Sequence, residues 1–142
     1  MKKKINLKIL DCTLRDGGYY NNWSFSKNLI KDYIKNINRS NIDIVEVGFR
    51  FLKKNKFGPF ANLKENLINS LLFKKNLKLG VMINSSDFDE NLDYKKQINN
   101  FFLKKKNTKI SSIRIATHLK DIKRIIPRII YLKKLGYEIA IN

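Results

Sequence analysis

The chain has 142 residues, 43% of them hydrophobic and 30% charged, enough for one domain with a real core and too apolar for a disordered tail. No window holds the ~18 uncharged apolar residues of a membrane-spanning helix, and the single cysteine, Cys12, excludes an internal disulfide framework or a multi-cysteine zinc site, so a reducing cytoplasm is expected. Thirty Lys+Arg against twelve Asp+Glu give +18, which raises nucleic acid as a partner; yet the cations fall in short clusters such as Lys53-Lys54 and Lys104-Lys105-Lys106, without aromatics interleaved for base stacking, and solvated lysine faces are the favoured reading.

In chain order, the basic start Met1-Lys2-Lys3-Lys4 is not expected to be a signal peptide. Ile5 to Cys12 reads as a first strand. Ser24-Phe25-Ser26 offers an N-cap, and Leu29, Ile30, Tyr33, Ile34 and Ile37 follow at helical spacing. Ile42 to Phe49 is a second strand, almost continuously apolar, as a strand covered on both faces requires. A loop with Gly58-Pro59 leads to a helix over about Leu63 to Phe73. Leu77 to Asn84 is a third strand, Ser85-Ser86-Asp87 a turn, and Tyr94 to Lys105 a helix. Ile110 to Ala116 is a fourth strand. A long helix over Leu119 to Leu135 closes on Gly136, with Pro127 expected to kink it or mark a join. Tyr137 to Asn142 begins a fifth strand. The alternation predicts parallel α/β architecture, either an open doubly wound sheet or a barrel.

In such folds reactive groups gather at the carboxyl ends of the strands. Thr13, Arg15, Asp16, Gly17 and Gly18 stand after the first strand, Glu46, Gly48 and Arg50 at the second, Met82 and Asn84 at the third. Arg114 and His118 stand at the fourth, and Asn142 after the fifth. Arg15-Asp16-Gly17-Gly18 has two readings. It is a salt bridge on a glycine turn, or a site for a cation-bound oxyacid: Asp16 a hard oxygen ligand, Arg15 a partner for a carboxylate or developing enolate, the glycines admitting the ligand to the backbone. Glu46, in an apolar strand, needs a partner, and Arg15, Arg50 or Arg114 could supply it. His118, the only histidine, is a cap or rim residue, or a ligand-facing donor and proton carrier. Cys12 is expected only to pack. Tyr19 and Tyr20 line a pocket mouth or cover the barrel end.

The stretch Leu10-Asp11-Cys12-Thr13-Leu14-Arg15-Asp16-Gly17-Gly18 resembles the opening motif of the metal-dependent pyruvate aldolase, acyltransferase and lyase superfamily, which includes 4-hydroxy-2-oxovalerate aldolase, isopropylmalate synthase and 3-hydroxy-3-methylglutaryl-CoA lyase. Val45 to Arg50 is similar to their second strand. Ile113-Arg114-Ile115-Ala116-Thr117-His118 is similar to the fourth strand of the hydroxy-oxovalerate aldolases, and Tyr131 to Tyr137 to the passage into the fifth.

The resemblance implies a TIM barrel acting on a pyruvate-like 2-keto acid, with Mg²⁺ or Mn²⁺ on Asp16 and Arg15 steadying the enolate. Glu46 would lie near the site, and His118 on the rim facing substrate. Where the related aldolases carry a histidine base after Arg-Asp-Gly, this sequence has Tyr19. A whole barrel takes about 250 residues and eight strands, and this sequence reaches the fifth. The expectation is therefore a partial (β/α)8 barrel over residues 1–142, strands 1 to 5. Without the family's later His-x-His pair, it would hold the metal weakly or not at all. Its open edges would favour association with a second half-barrel chain or with itself. A non-catalytic half-barrel and a basic nucleic-acid-binding domain are the alternatives.

Overall fold

The structure is a computed structural model that describes residues 7–142. Five parallel strands curl into a half-barrel in the order β1 (Leu10–Asp11), β2 (Ile44–Phe49), β3 (Lys78–Asn84), β4 (Ile110–Ala116), β5 (Glu138–Ile141). Between them run α1 (Thr13–Asn21), α2 (Lys27–Arg39), α3 (Glu65–Ser70), α4 (Tyr94–Phe101) and α5 (Ile122–Lys134). The predicted partial barrel is the observed one. Val45, Val81, Ile83, Ile113 and Ile115, all buried, form the face of the sheet covered by helices. No described helix is long and apolar enough to cross a membrane.

Local chemistry sets the boundaries. Ser26 caps α2 by accepting from the Leu29 amide at 3.2 Å, and Ile30, Ile34 and Ile37 form its buried stripe. Asp93 caps α4 in the same way through the Lys96 amide at 2.8 Å. α5 ends in a Schellman motif: Gly136, at φ +100°, donates to the Lys133 carbonyl, and Tyr137 to that of Leu132. Pro127 lies within α5 without ending it; the join falls earlier, at the 3₁₀ turn Leu119–Asp121. α3 is shorter than its apolar spacing suggests. Asn38 of α2 accepts from the Lys74 amide at 2.8 Å and donates to the Leu72 carbonyl at 2.9 Å, holding backbone that a longer helix would need.

The first strand differs most from expectation. Residues 1–6, including Ile5 and the basic start, lie outside the described residues, and regular pairing with β2 covers only Leu10 and Asp11. The Asp11 carboxylate takes the amide and hydroxyl of Thr13, at 3.1 and 3.0 Å. This Asx turn sends the chain directly into α1. Arg15-Asp16-Gly17-Gly18 is therefore helical rather than a glycine turn.

Candidate active site

α1 starts where β1 ends, so Arg15 and Asp16 occupy the first helical turn at the carboxyl rim of the sheet. Arg15 lies against its neighbour Asp16 and reaches across to β2, where its Nε donates to Glu46 Oε1 at 2.6 Å. Glu46 is 2% exposed and has a second cationic partner: Arg114 of β4 donates from Nε to Oε2 at 2.8 Å and from Nη2 to Oε1 at 2.5 Å. Hydrogen bonding to Glu46 pushes the Arg114 pKa up, so this guanidinium keeps its charge despite burial. A buried carboxylate held between two guanidiniums satisfies the demand that an apolar strand places on Glu46.

Arg50, an expected partner for Glu46, does not reach it. The register of β2 on β3 shifts between Glu46 and Gly48. The extra residue, Val47, reverses the alternation that follows. Glu46 pairs with Gly80, while Phe49 pairs with Met82 and Met82 with Arg114. Glu46, Phe49 and Arg114 thus share the concave face, and Gly48 and Arg50 turn to the helix layer. There Arg50, 3% exposed, caps the end of α4 by donating to the Phe101 carbonyl at 2.7 Å. It also pairs with Glu65 at 3.1 Å and lies over the Phe102 ring at 4.9 Å. Burial pushes its pKa down.

Gly18 serves packing, whereas a Cβ on Gly17 would meet only Phe25, at 3.9 Å. A Cβ on Gly18 would lie 2.0 Å from Trp23 Cδ1. The indole fills that space and donates to the Arg15 carbonyl at 2.9 Å. Trp23 has φ +57°, an uncommon conformation for a bulky residue, and it is fixed among Tyr19, Phe49, Phe51 and Phe57. Sequence reasoning left Trp23 without a role. A Gly-Gly pair followed shortly by the only tryptophan was the available signal. Tyr19 stacks edge-on against Trp23 at 4.8 Å, and Tyr20 is 95% exposed.

Cys12 does more than pack. Its Sγ donates to Asp16 Oδ2 at 3.1 Å. Burial, then the bond and charge of Asp16, push the thiol up, so it stays protonated as a donor. Asp16 therefore has one oxygen on Arg15 and the other on Cys12, with its side chain 53% exposed. Asp11 is occupied by Thr13 and by the Tyr33 hydroxyl at 2.5 Å. Among the described residues no three His, Cys, Asp or Glu side chains converge as a metal-binding group. One shared carboxylate falls short of the several oxygens that Mg²⁺ or Mn²⁺ requires, so these residues do not make a divalent-metal site by themselves.

His118 stands at the carboxyl end of β4, exposed, at a 260 Å³ pocket with Asn84, Ser85, Ser86 and Asn142. It shares the rim with the arginine–carboxylate cluster, and no hydrogen bond joins the two among the described residues.

No protein-family model and no curated protein matches the sequence. Among solved structures, the chain is similar to one described as "the N-terminal domain of a putative aldolase from Bacteroides vulgatus", with 33% identity and a TM-score of 0.81 over 96% of this chain. The match spans 44% of that chain, less than half its length. Fold and likeness together make residues 7–142 an aldolase-like half-barrel.

Proposed function

We propose that this half-barrel is the keto-acid-binding part of an aldolase or lyase that makes or breaks a carbon–carbon bond through a pyruvate-type enolate. The observation that carries the reading is Arg15 beside Asp16 at the carboxyl end of β1, braced by the buried Glu46–Arg114 pair. Arg15 uses Nε and Nη1 on the two carboxylates, and its Nη2, without a partner among the described residues, would take a substrate oxygen. A guanidinium already fixed in place stabilises an enolate oxygen without reorganising as the charge develops. Glu46 orients Arg15, and Arg114 orients Glu46. His118, on the same rim, would donate a hydrogen bond to the substrate or relay a proton. Asp16 would be one ligand of a divalent cation whose remaining ligands come from outside residues 7–142, which is also where a second half-barrel would dock.

The test is deuterium exchange into the methyl group of pyruvate in D₂O with Mn²⁺, followed by proton NMR. The chain would be assayed alone and fused to the part of the Bacteroides protein beyond its matched segment. The chain alone should be nearly inactive and the fusion active, with Arg15→Lys lowering the rate about 100-fold. A folded fusion that neither exchanges pyruvate nor binds Mn²⁺ would overturn the reading.

A further inference from the structure

On the convex side of the half-barrel, α2 and α3 flank an open groove of about 610 Å³. Its floor is apolar: Phe25, Ile30, Ile34, Phe60, Leu67 and Leu71. At one end Leu72 projects, 77% exposed, where the Asn38 bond to its carbonyl closes the groove. Lys27, Lys31 and Lys35 also line it. They recur every fourth residue on α2 and form one ladder along the wall. All three are exposed, and none has a carboxylate partner among the described residues. Solvated lysines occur over much of this chain, but here a ladder of them borders a continuous apolar floor.

We infer that this groove docks an amphipathic helical segment of an acidic partner protein, with its apolar stripe on the Ile30–Leu71 floor and carboxylates spaced four residues apart on Lys27, Lys31 and Lys35. Charge complementarity selects the occupant. A second copy of a chain carrying +18 would bring like charge to the ladder, whereas an acidic helix neutralises it. The geometry is that of a helix in a groove, anchored by residues three and four apart. Nothing in this surface overlaps the Arg15–Glu46 cluster, so docking and rim chemistry are separable.

The experiment titrates the chain with a synthetic helical peptide of about five turns carrying leucines along one stripe and glutamates flanking it. Fluorescence polarisation at physiological salt reads affinity, and amide chemical shifts locate the site. The comparators are a scrambled peptide of identical composition and vesicles containing anionic lipid. Amides of α2 and α3 should move, and the scrambled peptide should bind at least tenfold more weakly. Lys31→Glu with Lys35→Glu should weaken binding at least tenfold, while Lys96→Glu with Lys106→Glu, an equal charge change elsewhere, should alter it less than twofold. Equal loss in both double variants, equal binding of the scrambled peptide, shifts spread over other basic faces, or vesicle binding without peptide binding would each overturn the inference.

Discussion

Glu46 on β2 and Arg114 on β4 are joined across the intervening strand by two hydrogen bonds, 2.8 Å from Nε and 2.5 Å from Nη2. β3 presents Gly80 opposite Glu46, so no side chain at that position stands between them. This bridge, and not backbone alone, fixes the carboxylate that orients Arg15.

Replacing Glu46 with Gln should therefore be costly. It leaves Arg15 and Arg114 facing each other across a buried site without their shared counter-charge, and removing one partner of a buried ion pair costs about 3–5 kcal/mol. Urea denaturation should show the loss as a lower midpoint at unchanged slope. A loss under about 1 kcal/mol would mean that water already screens the cluster.

Gly18→Ala tests the seat of Trp23. The new methyl group would occupy the position of the indole, 2.0 Å away, and overpacking of this kind costs about 1–3 kcal/mol. Tryptophan fluorescence should shift to the red as the ring leaves the Phe49–Phe51–Phe57 cluster. An unshifted spectrum with native stability would contradict the placement of Trp23.

Cys12 should alkylate slowly. Its thiol is pushed up first by burial, then by Asp16 as acceptor and as charge, and only the thiolate reacts. Asp16→Asn removes the charge and should speed iodoacetamide modification, about threefold for each unit by which the pKa falls, because the gain in thiolate is offset by its lower nucleophilicity. An unchanged rate would show that Asp16 does not hold the thiol.

Tyr137 predicts an alkaline limb of stability. Its hydroxyl donates to the Leu103 carbonyl at 2.6 Å, and burial above all raises its pKa from 10.0 to about 12. The unfolded tyrosine loses its proton first, so the stabilisation is complete below pH 10 and is lost as pH rises towards 12. Tyr137→Phe should flatten this limb relative to the parent chain in urea titrations at successive pH values. Parallel curves would place the tyrosine in a more solvated setting.

Much of this arrangement was legible in the sequence. Apolar spacing located β2 to β5 and the helices α2 to α5 but not α1, Gly136 located the end of α5, and the carboxyl-end rule brought Arg15, Glu46 and Arg114 to one site. Arg50 was misplaced because period-two counting has no symbol for an inserted residue: nothing about Val47, between Glu46 and Gly48, distinguishes a bulge from regular strand. One of the two readings of the Arg-Asp-Gly-Gly run made it a turn, because glycine usually marks one. Its helical state depends on Asp11 capturing Thr13 and on Trp23 filling the space above Gly18, both tertiary matters. The hydrogen bond from Cys12 to Asp16 spans one helical turn and became readable only once that stretch was known to be helical.

The offset at Val47 also sets a rule for comparing this chain with others. Deleting that residue would leave Gly48 opposite Val81 and Phe49 opposite Met82 as a regular strand, so Phe49 would stay on the concave face and Gly48 and Arg50 towards the helices. A relative of equal length that paired without the bulge would instead present a third arginine to the substrate region from an unaltered Gly-Phe-Arg string. Alignments that slide a gap past this point would equate side chains on opposite sides of the wall.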